Sequence, residues 1–147
     1  MFGRGILKQP FSRFERMKKV KTKDMILISM FAAVTAISAQ VTIPIPISPV
    51  PITLQVLAVC LTSAILGSRL AFMSLLVYIA VGILGMPVFS GGASGPGAVM
   101  GPTGGYITGF LLSSYVTGKL TQRKPLPTLS NTLAAMFSGL LVIYTAG

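Results

Sequence analysis

The chain has no histidine, a single cysteine, Cys60, and only two acidic residues, Glu15 and Asp24. Without histidine, and with both carboxylates near the start of the chain, the usual acid, base and metal-ligand sets are missing. Serine or tyrosine alone makes no catalytic constellation, so the sequence does not read as an enzyme. One cysteine allows no intrachain disulfide, and its place in an apolar run suits a small packed hydrophobe. A nucleotide-binding P-loop is also lacking. Thr117-Gly118-Lys119-Leu120 resembles its end, but Ser113 stands where glycine is needed and Leu120 replaces the metal-binding hydroxyl. ATP-driven work would therefore need another subunit.

Charge of any kind is scarce. Charged residues make up 10% of the 147 positions against 52% hydrophobic, and the mean hydropathy is +0.82. A soluble domain carries about 25% charged residues. The composition is that of an integral membrane protein built from spans of about 20 residues each. Five spans can be placed: Met25 to Ile43, Thr53 to Leu66, Leu70 to Val88, Gly105 to Leu120, and Leu129 to Gly147. The fold expected is an all-α, polytopic membrane helical bundle, in contact with lipid over its outer face. In the first span Ser29, Ala32, Ala33, Ala36 and Gln40 fall three and four apart, and Ala32 with Ala36 forms a small-xxx-small pair. Such a strip admits close approach of another helix, from this chain or from a partner.

The net charge of +10 is unevenly spread, since eight of the twelve basic residues precede Asp24. That distribution sets membrane orientation and argues against nucleic acid as a partner. Residues 1–24 read as a basic cytoplasmic arm, either an amphipathic helix on an anionic leaflet or a solvated tail, and residues 25–147 as the membrane domain. A cleaved signal peptide fits poorly, because the apolar run continues beyond the small residues Ala36, Ser38 and Ala39. With the N-terminus in the cytoplasm, alternation of spans puts Arg69, Lys119, Arg123 and Lys124 inside too. The two unusual loops then face outward together.

The first of these, Ile43 to Thr53, carries Pro44, Pro46, Pro49 and Pro51. This density forbids helix and favours extended backbone, and its apolar side chains suit a stiff segment folded back over the mouth of the bundle. The second, Phe89 to Tyr106, holds seven of the sixteen glycines together with Pro96 and Pro102. No regular helix is expected through it. Irregular backbone at membrane depth is tolerated where it lines a cavity or is buried in protein, which allows either a substrate site or a re-entrant loop without a ligand. Gly104, Gly105 and Tyr106 open the fourth span with unpaired backbone N–H groups, a setting for an anionic or carbonyl-bearing ligand. Gln55, near the start of the second span, either bonds a neighbouring helix or faces that cavity.

Taken together, IPIPISPVPITLQ, LGSRLAFMSLLVYIAVGILGMPVF, and SGG followed by GPTGGYITGF resemble the BioY family, the biotin-specific substrate-binding components of energy-coupling-factor transporters. The resemblance covers about Met25 to Gly147 and leaves out the basic arm. It implies a six-helix, multi-pass protein of a bacterial or archaeal plasma membrane that captures biotin from outside. It further implies association with a transmembrane coupling subunit and two cytoplasmic ATPases, with biotin as transported substrate and no cofactor. By the same resemblance Gly104, Gly105 and Tyr106 border the biotin pocket, and Ala32 and Ala36 contact the coupling subunit. Family members place an acidic residue and a lysine in a sixth helix. Only five spans are found here, and the last apolar run reaches Gly147 without a flanking charge, so a truncated form is expected. A structural or assembly partner in the membrane, or a channel, remains the competing reading of the residues alone.

Overall fold

The computed structural model describes residues 21–47, 52–123 and 128–147. The arm up to residue 20, Pro49 and Pro51 of the proline-rich loop, and Lys124 lie outside the described residues. The order is α1 (Thr22–Gln40), β1 (Thr42–Ile43), β2 (Ile52–Thr53), α2 (Gln55–Leu66), α3 (Ser68–Ile83), a 3-10 turn (Ser90–Gly92), α4 (Pro96–Met100), α5 (Gly104–Gln122) and α6 (Leu129–Ala146). The fold is an all-α bundle of five long helices among the described residues, as expected. Helices α1 and α6 are long and apolar enough to cross a membrane, whereas α2 and α3, also apolar, have 12 and 16 residues.

Contacts at named atoms fix how the helices run. Ser74 Oγ donates to the Ile28 carbonyl at 3.0 Å, while Gln40 Nε2 donates to the carbonyls of Pro87 and Phe89 at 3.3 and 3.2 Å. Helices α1 and α3 are therefore parallel. Ser68 Oγ donates to Gln122 Oε1 at 3.0 Å, which brings the start of α3 to the end of α5. Lys21, Lys23, Arg69, Lys119 and Arg123 thus share one end of the bundle with Asp24. The other end, formed by the β1–β2 hairpin and the glycine-rich loop, has no charged side chain among the described residues.

Burial departs from that of a water-soluble domain: apolar residues such as Val59, Leu75 and Ile143 form a core, but small polar residues share it and many large apolar residues face outward. Thr35, Gln55, Thr62, Ser63, Ser74, Ser113, Ser114 and Thr117 are buried, while Met25, Ile37, Leu57, Leu76, Leu112, Leu133 and Phe137 are exposed. Small polar residues inside a bundle let helices approach and bond across their contacts, and apolar residues outside suit hydrocarbon. Thr117 Oγ1 donates to the Ala135 carbonyl at 3.3 Å, joining α5 to α6. Thr117 and Gly118 therefore lie inside a packed helix rather than in a phosphate loop.

The most extensive contact between helices is that of α5 with α6. A Cβ added at Gly109 would stand 3.1 Å from Ala146 Cβ and 3.2 Å from the Ile143 carbonyl, and one at Gly139 would stand 2.8 Å from Ser113 Oγ and closer to Thr117 Oγ1. Absence of side chains is what permits this approach. At the α2–α3 turn Gly67 has φ +82°, a left-handed conformation that favours glycine.

Three expectations need correction. Helix α3 stops at Ile83 rather than near Val88, because Gly85 turns with φ +111° and Pro87 follows. The glycine-rich loop does contain a helix, the five-residue α4, with Pro96 supplying a first-turn φ that is already helical. The proline-rich segment is not wholly a loop: its described ends pair as antiparallel strands with Thr42 opposite Thr53 and Ile43 opposite Ile52, and Pro46 and Ile47 lie in a turn.

Gly139→Leu should open the α5–α6 seam and cost about 1–3 kcal/mol of stability by overpacking. Gly97→Ala, at a position with nothing within 4 Å of the added Cβ, should leave stability unchanged. Thermal unfolding of both variants in detergent checks this, and equal melting temperatures would contradict the seam.

Candidate functional site

A cavity of about 230 Å³ opens at the uncharged end of the bundle. Its wall is assembled from segments far apart in sequence: Ile52 and Thr53 of the hairpin, Gln55 and Val56 of α2, Tyr78 of α3, Phe89 of the loop, Tyr106 and Phe110 of α5, and Tyr144 of α6. Among the described residues this wall carries no charge. Its character is aromatic, with one buried amide.

The amide is held in place. Gln55 is buried and its Nε2 donates to the Tyr78 hydroxyl at 3.0 Å; that hydroxyl donates in turn to the Val88 carbonyl, also at 3.0 Å. The alternative left open by the sequence, a helix partner or a cavity, resolves to both. A buried amide without such a partner would be costly. The same chain of bonds ties Val88, which leads into the glycine-rich loop, to α2 and α3, and Gln40 ties the entry to that loop to α1 through Pro87 and Phe89. Edge-to-face aromatic pairs complete the wall: Tyr78 with Phe89 at 5.6 Å between ring centroids, and Tyr106 with Tyr144 at 6.1 Å.

The opening of α5 is used differently from the sequence reading. Tyr106 is half-buried and lines the cavity, but Gly104 and Gly105 are outside its wall. The Gly104 N–H, expected to be unpaired, donates to the Gly101 carbonyl at 3.0 Å. A Cβ at Gly104 would run into the Val99 carbonyl of α4, and one at Gly105 would stand 2.8 Å from the Ala146 carbonyl of α6. The two glycines let α4 and α6 close around α5, and so place Tyr106.

On α1, Ala32 belongs to the buried core of this chain, whereas Ala36 is half-buried against it and Ser29 and Ala33 are exposed. Tyr78, Phe89 and Tyr144 escaped the sequence reading. Each sits in an otherwise apolar run, where an aromatic residue carries no periodic or motif signal of its own. Only the meeting of three distant segments makes them a wall.

A bundle with an apolar exterior, an interior that mixes apolar residues with small polar ones, and an uncharged cavity at one end has the pattern of a membrane protein with room for a small molecule. A profile of the BioY family matches residues 15–147. The chain is 42% identical to "Probable biotin transporter BioY" of Lysinibacillus sphaericus over 128 residues, covering 87% of this chain and 64% of that protein. It is 40% identical to a protein of the same description from Pyrococcus horikoshii, covering 87% and 74%. The chain belongs to the BioY family. Its backbone matches the crystal structure of the S-component for biotin from an ECF-type ABC transporter with a TM-score of 0.79 and 25% identity, over 88% of this chain and 71% of that one. The chain spans about two thirds of the length of these relatives.

Tyr78→Phe should leave Gln55 Nε2 and the Val88 carbonyl without their shared partner. The expected loss is about 1–3 kcal/mol, read as lower thermal stability than wild type in detergent. An unchanged melting temperature would mean that the bond chain does not hold the loop.

Proposed function

We propose that this chain is the biotin-capturing substrate-binding component of an energy-coupling-factor transporter, a multi-pass membrane protein and not an enzyme. The observation that carries the reading is the aromatic cavity around Gln55 and Tyr106 in a chain of the BioY family. Biotin presents a neutral bicyclic urea, which offers faces to aromatic rings and both donors and acceptors to an amide. Its carboxylate needs a cation or several donors. The described wall supplies no cation, so the neutral head is the part matched to this cavity.

Orientation follows from charge. The end bearing Lys21, Lys23, Arg69, Lys119 and Arg123 lies in the cytoplasm, with the N-terminus, and the cavity opens outward. Gln55 and Tyr106 contact the ligand, Tyr144, Tyr78 and Phe89 enclose it, and Gly104 and Gly105 fix the opening of α5. The energising partners are a transmembrane coupling subunit and two cytoplasmic ATPases. Since Ala32 is taken up by the chain's own core, the partner contact on α1 centres on Ala36, flanked by the exposed Ser29 and Ala33.

Isothermal titration of the detergent-purified complete protein with biotin tests the reading, with saturable binding as the expected result and none as the contrary one. Losing one wall contact costs about 1–3 kcal/mol, so Tyr106→Ala should weaken binding roughly 5- to 150-fold. Unchanged affinity would remove Tyr106 from the site.

Ala36→Leu should obstruct the partner helix while leaving the cavity intact. Uptake should fall and biotin binding persist. A joint loss would assign Ala36 to internal packing instead.

A further inference from the structure

Phe89 is pinned by its main chain. Its N–H donates to the Ala93 carbonyl at 3.1 Å, and its own carbonyl accepts from Gly92 N–H at 3.1 Å and from Gln40 Nε2 at 3.2 Å. The backbone is therefore fixed, and only the ring has freedom. The ring is buried, and it presses on α3 at Gly82: a Cβ built there would stand 2.6 and 2.7 Å from Phe89 Cε1 and Cε2, and nearer still to Cζ. No real contact of that kind is tolerated, so a ring facing any larger residue has to turn away. Its exits are limited. Tyr78 meets it edge-on at 5.6 Å, and the cavity that Phe89 lines is the open space beside it. The same glycine also accepts, through its carbonyl, the N–H of Gly95 at 2.8 Å. Gly95 has φ +82°, so the loop is shaped to return to this point of α3.

Helix propensity argues for alanine at Gly82, since glycine inside a helix is unfavourable. Glycine is present because the Phe89 ring occupies the space where the Cβ would be. We propose that Gly82 is a specificity-determining positioning residue: by seating the Phe89 ring out of the cavity it sets the size of solute the site admits. The proposal deepens, and rests on, the reading of the cavity as a biotin site. Its general form is that a single missing methyl group behind the wall controls the volume in front of it.

The test is a double-mutant cycle on the purified whole protein, with Gly82→Ala and Phe89→Leu singly and together, read with biotin and with desthiobiotin, whose bicycle is opened to one ring. Gly82→Ala should weaken biotin roughly tenfold or more, as overpacking does, and weaken desthiobiotin less. Adding Phe89→Leu should restore biotin to the level of Phe89→Leu alone. Equal losses for both ligands without rescue would overturn the proposal, as would wild-type affinity in Gly82→Ala. A melting cycle runs beside it and requires no ligand. Alanine at 82 should lower the melting temperature beside Phe89 and raise it beside leucine, through its better helix propensity. If wild type binds no biotin, the ligand reading fails by itself, and the melting cycle still decides: sign reversal supports the seat, and additive shifts overturn it.

Discussion

Inside hydrocarbon a backbone amide has no water to turn to, and each unsatisfied one costs several kcal/mol. The architecture answers that constraint throughout. Long helices satisfy their own backbone, and their hydroxyls bond back to it: Thr35 to the Phe31 carbonyl at 2.8 Å, Thr62 to Ala58 at 2.7 Å and Ser63 to Val59 at 2.7 Å. These three residues are thereby buried with their donors paired, and they are small enough to let helices approach. Irregular backbone is gathered at one end, where strand pairing, Gln40, Tyr78 and the loop's own turns supply the missing bonds.

The same division of residue sizes makes the cavity. Toward the charged end, Gly118 abuts Ser68, Gly139 abuts Thr117 and Ser113, and the helices close on one another. Toward the uncharged end Tyr78, Phe89, Tyr106, Phe110 and Tyr144 stand between them and hold them apart. The bundle is therefore closed toward the charged end, whereas at the other end α5 and α6 still meet closely at Gly105 and Gly109 and the aromatic residues hold open the cavity beside them. Under the proposed orientation the charged end, with Arg69, Lys119 and Arg123, lies in the cytoplasm and the cavity opens on the other side.

Composition and hydropathy made the all-α membrane bundle legible, because apolar run length and charge scarcity are properties of single segments. Span edges were less so: apolar composition carries the third span on to Val88, although the helix ends at Ile83 and Gly85 then turns the chain. Gln55 and Tyr106 stood out as polar groups at the ends of apolar runs, and both line the cavity. Gly104 and Gly105 stood out too, but glycine composition does not distinguish close approach of a ligand from close approach of another helix. Here the neighbours are Val99 and Ala146. Phe89 and Tyr144 acquire meaning only through contacts between distant segments, which no local pattern encodes.

The central claim is that the uncharged end faces outward and holds biotin. Ala93 lies exposed on the cavity wall in the glycine-rich loop, and the native Cys60 is buried. In intact cells producing the Ala93→Cys variant, an impermeant maleimide should label position 93, and biotin added beforehand should slow the labelling. Failure to label, or labelling at a rate indifferent to saturating biotin, would contradict the account.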